Sequence, residues 1–468
     1  MTTEIACRRS RLAQTRAELD RLTSELTRWF AEKRDPGFSQ RHGRQLKLLS
    51  ATLTEALAWL RQQVDRLPLA QPTVDFYRAC RAYELRLLWV RALWQYFRPK
   101  FEQREDGALK RLLAAADEIV WACYAPAFEK LGQLPPPAPL PYVEPQFTPR
   151  AIPLDEPPPE LKVVDADFLK AFLARLPIAV VGLPSSCVSA PWWLAHAAHE
   201  VGHHVQHELK LVTPFELALK QAAEAGPVPL DQELADNWVR WGQEIFADAY
   251  GLLCLGSFAP RALAEVELSA ASLTKNSAKY PAAIVRLEWQ RRALHDLGAP
   301  TEDVFGPVME EEFRTQTPQL PAATAAAFGQ AQRLAEFVTQ QPLSSPGGPM
   351  KLPELAGWEV KPFQAGGDVA DYAQQLRDGQ SLAEARNTVT IRHLLAAGVK
   401  AWVDTLGTTD DATREQQQTQ LALALVDNLI AHSPPGDRAV RAAAPIEASL
   451  GRELGELLLA RTAGELEP

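Results

Sequence analysis

The sequence predicts a mainly α-helical protein in which N- and C-terminal helical regions flank a central α+β core with one small sheet. Three observations predict it: apolar residues recur at helical spacing through residues 1–133 and again from 301 onward, a single short β-type run lies between, and a proline-rich stretch precedes that run. The organisation that follows is a helical bundle over 1–133, a linker over 134–160, a core over 161–300 and a second helical region over 301–468. With 468 residues, 46% of them apolar, the chain can bury substantial cores.

Leu12, Leu19, Leu22, Leu26 and Trp29 form the first stripe. Beyond the Asp35-Pro36-Gly37 break, Leu46, Leu49, Leu53, Leu57, Leu60, Val64 and Leu67 form the second. Two further apolar helices, about 73–98 and 107–131, are separated by Pro99 and an Asp106-Gly107 turn, and an antiparallel bundle is the simplest packing. The third helix carries Phe76, Tyr77, Tyr83, Trp89, Trp94, Tyr96 and Phe97. These read either as a partner surface or, more simply, as core.

Between Pro135 and Pro159 eleven of twenty-five residues are proline, which excludes helix and interior strand. An extended, polyproline-like segment laid over the surface is expected, serving as a spacer or as a strap beside a cleft. A helix over 161–174 and the β-type run Pro177–Pro184 follow, then a loop through Cys187 to Pro191, a residue suited to a first helical turn.

Residues 196–207 read His-Ala-Ala-His-Glu-Val-Gly-His-His-Val-Gln-His and hold five of the nine histidines. Within them His199-Glu200-Val201-Gly202-His203 matches H-E-x-x-H, which sets two imidazoles one helical turn apart on one face, aimed at one ion. Glu200, one residue after the first ligand, can take a proton from the attacking water without occupying the ion's coordination shell. His196, His204 and His207 are expected to pack, to hydrogen-bond or to line the rim. A catalytic zinc needs a third protein ligand from elsewhere. Glu244 supplies it from the helical stretch 231–255, whose apolar stripe is Leu234, Trp238, Trp241, Ile245 and Leu252 and whose end is Gly256. Asp248, one turn after Glu244, can accept the outer N–H of a ligand histidine and fix its tautomer.

With these residues the chain resembles the zincin-like metallopeptidases of the gluzincin type, over about residues 161–300. The resemblance implies Zn²⁺ held by His199, His203 and Glu244, Glu200 as general base and Asp248 behind a ligand histidine. It also implies that the strand before the metal helix is an edge strand that holds extended substrate, where the run itself reads equally as a buried strand with no substrate role, and that a downstream donor stabilises the oxyanion; Tyr280 and Arg286 are the candidates by position. Arg286 also reads as a helix-surface salt bridge, and Cys187 either as an inhibitory ligand or as a small buried residue. The expected activity is cleavage of peptide bonds in a protein or peptide substrate, with a regulatory partner on the flanking helices. A zinc hydrolase of a non-peptide amide or ester, and a scaffold with a vestigial zinc site, remain open.

From 301 onward come an alanine-rich stretch over 319–340, a Ser-Pro-Gly loop over 344–349, and amphipathic segments over 381–405, 411–432 and 437–464. His393 and His432 are isolated and read as structural. No nucleotide-binding glycine loop and no fixed-period repeat occur. Fifty-eight acidic against 49 basic residues, a net charge of -9, argue against a nucleic-acid partner. Five dispersed cysteines without a C-x-x-C pair, no apolar signal segment and no run of about 18 apolar residues point to the cytoplasm and to no membrane partner.

Overall fold

The computed structural model describes residues 2–33, 36–146, 149–152, 178–225, 231–267, 273–302, 304–382 and 388–433, with the isolated positions 158, 161 and 169. The helix expected over 161–174 lies almost wholly outside them, as does the segment 437–464. Among the described residues there are seventeen α-helices and five short strands, so the mainly helical expectation holds, small sheet included. None of the described helices is long and apolar enough to cross a membrane.

The chain divides into two compact units, Met1–Glu102 with Leu154–Ile178 and Gly436–Pro468, and Gln103–Pro153 with Ala179–Pro435. In the first unit α1 (Thr2–Glu32), α2 (Pro36–Asp65) and α3 (Thr73–Glu102) pack pairwise through the predicted stripes. Phe76, Tyr83, Trp89, Trp94, Tyr96 and Phe97 are buried and only Tyr77 is exposed, so the aromatic helix is core. Pro99 does not end α3. Only one turn follows it, and Lys100 and Phe101 of that turn are buried, so packing outweighs the lost backbone bond.

In the second unit α4 (Gly107–Lys130) starts at Asp106, whose carboxylate accepts from the amides of Ala108 and Leu109. Its residues from Ala115 to Phe128 are all buried, the mark of a helix apolar all round with neighbours on every side. This is why it leaves the bundle expected for 1–133.

The proline-rich segment is no surface linker. It supplies β1 (Leu140–Glu144) and β2 (Arg150–Ile152), which flank β3 (Val180–Pro184) in the order β1-β3-β2, β1 parallel and β2 antiparallel to it. Prolines confine such a segment to sheet edges, and both strands are edges. β3, read either as a substrate-holding edge or as a buried strand, is the buried centre of the sheet.

After β3 come α5 (His196–Glu208), α6 (Val212–Ala225), α7 (Gln232–Arg240), α8 (Gly242–Leu255), α9 (Phe258–Glu267) and α10 (Ala283–Asp296). Stretch 231–255 is thus two abutting helices joined at Trp241, and Gly256 closes the second with φ 61°. Then follow α11 (Gly306–Gln316), α12 (Ala322–Gly329), α13 (Ala331–Gln340), the hairpin β4 (Pro342–Ser345) and β5 (Gly348–Lys351), α14 (Leu352–Ala356), α15 (Asp368–Arg377), α16 (Thr388–Thr405) and α17 (Asp411–Ala431). The hairpin stands where a loop was expected over 344–349. α16 and α17 pack on α4, and one hydrophobic core runs from Leu112 to Leu429, so residues beyond 301 complete the core that carries α5 and α8.

Candidate metal centre

Two 3-10 turns, Ser185–Val188 and Pro191–Ala195, carry the chain from β3 into α5. His204 Nε2 lies 3.2 Å from the Val180 carbonyl, which fixes the helix to the central strand. His196 is buried against Trp193, its ring 6.0 Å away and nearly parallel. His204 is thus hydrogen-bonded inside the core and His196 lines the cavity beside the site, and burial holds both neutral: His196 is pushed down to about 4 and His204 to about 3. Cys187 is buried in the apolar core outside the ligand group, and burial pushes its thiol up to about 12, so the reading of it as an inhibitory ligand is not sustained.

α5 and α8 pack closely along their length, and two glycines allow it. A Cβ on Gly202 would stand 2.9 Å from Ala247 Cα, and one on Gly251 would stand 3.3 Å from the His199 amide nitrogen. Backbone atoms cannot yield as a flexible side chain does. Gly202→Ala gains about 1 kcal/mol of helix propensity yet forces the helices apart at an overpacking cost of about 1–3 kcal/mol. Lower thermal stability and weaker zinc binding are therefore expected; unchanged values in thermal melts with and without zinc would contradict the packing argument.

Across that contact, ligand atoms of His199, His203 and Glu244 lie within 4.8 Å of one another. Glu244 Oε2 is 3.4 Å from His199 Nε2 and 3.6 Å from His203 Nε2. Bond lengths of about 2.0–2.2 Å to a tetrahedral zinc place neighbouring ligand atoms about 3.4 Å apart, so both distances fit one ion. Glu244 Oε2 is buried and, among the described residues, meets no group but the two imidazole nitrogens facing it, at 3.4 and 3.6 Å, and a buried carboxylate oxygen set between two imidazoles is a donor set that a divalent cation satisfies. Glu200 is buried beside the group without belonging to it.

His199 Nδ1 lies 2.8 Å from Asp248 Oδ1, which leaves Nε2 free for the ion, the arrangement expected of Asp248. Arg286 differs from expectation. It is 4% exposed, and its Nε and Nη2 donate to Asp248 at 2.9 and 2.7 Å while Nη1 donates to Glu267 at 3.0 Å. It is no helix-surface pair: Nε and one N–H of each Nη are engaged in holding Asp248, which holds His199, and Glu267, while the side chain also lines the cavity beside the site. Glu267 was not foreseen as a partner of Arg286, because residues nineteen apart share no helical register.

Burial disfavours charge on Glu244 and Asp248, yet both are held below the usual carboxylate range. His199 and His203 do this for Glu244, and Arg286 with His199 for Asp248. Burial likewise opposes a proton on His199, but the hydrogen bonds to Asp248 and Glu244 outweigh it and raise His199 to about 10. In the metal-free protein His199 therefore carries a proton that an ion must displace. Zinc affinity is expected to rise about tenfold per pH unit between roughly pH 7 and 9. Competition against a chromophoric chelator at three pH values checks this, and a flat profile would mean that His199 is neutral before the ion arrives.

His199, Glu200 and Asp248 line a cavity of about 580 Å³. One wall is the apolar stripe Ala259, Leu263 and Val266 of α9; Arg286 and Gln290 of α10 line it too, with Tyr280 and Pro149. Tyr280 is 37% exposed, and burial together with Glu244 raises its phenol, which stays protonated despite Lys279 and Arg286 nearby. Pro149 belongs to the proline-rich segment, which therefore lies at the cavity as the strap reading supposed. Lys279 Nζ lies 3.6 Å from Glu244 Oε1, a neighbour that sequence reasoning missed. Compared with protein-family models, curated proteins and solved structures, the chain matches none.

Proposed function

We propose that the chain is a zinc-dependent metallopeptidase with a zincin-like core, cleaving peptide bonds of a protein or peptide substrate in the cytoplasm. The observation that carries the reading is the convergence of His199 and His203 from α5 with Glu244 from α8, at separations that suit one tetrahedral ion. Zn²⁺ bound by these three residues supplies a Lewis acid, which makes water a nucleophile near neutrality and polarises the scissile carbonyl.

The remaining work falls to the chain's own groups. Glu200 takes a proton from the attacking water and returns it to the leaving amine. Burial raises its affinity for that proton and His199 and His203 restrain it, which suits a group that must both accept and release. Tyr280, protonated at the cavity, donates to the carbonyl oxygen as charge develops there. Arg286, Asp248 and His199 form a chain of hydrogen bonds that keeps one imidazole aimed. Selectivity, through a regulatory partner or an exosite on the flanking helices, belongs to the same reading.

The test joins elemental analysis of the purified protein with a terminal-labelling comparison of cells carrying active and Glu200→Gln protein. One zinc per chain and new termini only with the active protein are expected. A protein that takes up no zinc, or whose termini match those of the variant, removes the proposal.

A further inference from the structure

β3 leads into the metal helix, and an extended peptide would reach the centre by pairing with the edge of that strand. One edge of β3 carries β1 and the other is taken by β2, with Arg150 opposite Gly182, Ala151 opposite Val181 and Ile152 opposite Val180. In an antiparallel ladder successive amides point alternately toward the partner and away from it. Ala151 sits between Arg150 and Ile152, and its backbone amide is near enough to the Glu200 carboxylate to favour its charged form. β2 is thus paired with β3 over its whole length and lies beside the metal helix, next to the residue that must handle the proton. Pro149, just before the strand, lines the cavity.

The grip is specific and small. Arg150 Nη2 donates to Glu144 Oε2 at 3.1 Å and to the Tyr142 hydroxyl at 3.2 Å, and Gly182 leaves the room, since a Cβ there would collide with the Glu144 carboxylate. Yet β2 has three residues, and Pro149 before it has no N–H to donate to a longer ladder.

We propose that Pro149–Ile152 is an internal stand-in for substrate: it lies antiparallel on the β3 edge, sets a backbone amide beside Glu200, and must be displaced by an extended peptide before that peptide can be cut. The inference rests on the peptidase reading for its meaning, but its test does not depend on turnover. The substrate class it names is an unfolded or extended polypeptide segment able to compete for the β3 edge. Release of the strap is the step at which the site is regulated.

The probe is a fluorescent peptide of the strap's own sequence, Thr-Pro-Arg-Ala-Ile-Pro, bound to zinc-loaded full-length protein in a Glu200→Gln background and followed by anisotropy. Arg150→Ala with Ile152→Gly frees the edge, and affinity is expected to rise at least tenfold. Ala151→Cys with Val181→Cys, oxidised by glutathione disulfide, ties β2 to β3 at opposed positions; binding is expected to vanish and to return on reduction, which controls for misfolding. The same affinity, or none, in the parent, freed and tied forms overturns the proposal. Tighter binding in the freed form without cleavage by its Glu200 counterpart would leave the strap standing and the peptidase reading fallen. Equal cleavage by tied and untied enzyme would do the reverse.

Discussion

Glu200→Gln is expected to keep one zinc per chain and to lose about a thousandfold in turnover, within the range that a positioned general base contributes. Glutamine matches the shape of the buried side chain and keeps an oxygen for the nearby Ala151 amide, so the fold has no reason to change. It cannot take a proton. The three ligands lie outside the substitution, so metal content should hold. His203→Ala is the contrast: it removes a ligand and should lose metal and activity together. Turnover by Glu200→Gln within a few fold of the parent, on any peptide the parent cleaves, would end the mechanism. Loss of zinc along with activity would show instead that Glu200 supports the ion.

The parts of the site that follow from local spacing were legible in the sequence. His199, Glu200 and His203 are fixed relative to one another by one helical turn, and Glu244 and Asp248 by another; the fold had only to bring two such turns face to face. What permits the meeting, Gly202 against Ala247 and Gly251 against His199, was not legible, because a glycine's use lies in what approaches it. Helical stripes marked α1, α2 and α3 but not their grouping: α4 carries a similar pattern and packs with α16 and α17, a long-range choice that periodicity does not encode. The proline-rich stretch misled for a related reason. Proline forbids interior ladders, and the sequence could not show that a central strand forty residues later would offer two edges on which β1 and β2 satisfy that rule.

Asp248→Ala is expected to be the most destabilising single change at the site. Arg286 and Asp248 are both nearly inaccessible and meet through two hydrogen bonds of 2.9 and 2.7 Å, so removing the carboxylate strands a buried guanidinium and the Nδ1–H of His199. Breaking a buried pair by deleting one partner costs about 3–5 kcal/mol. Glu267 keeps its own bond to Arg286, which sets the expectation near the lower end, about 3 kcal/mol. Zinc affinity should fall about 10- to 100-fold, as it does when the group orienting a ligand histidine is lost. Adding Arg286→Met separates the two effects. With the stranded cation gone, denaturant unfolding of the metal-free double variant should regain more than half of the lost stability, while zinc affinity stays low because His199 remains unaimed. A double variant as unstable as the single one would mean that Asp248 stabilises the fold by some route other than this pair. Recovery of zinc affinity together with stability would mean that Asp248 serves the fold alone and that the imidazole needs no second partner.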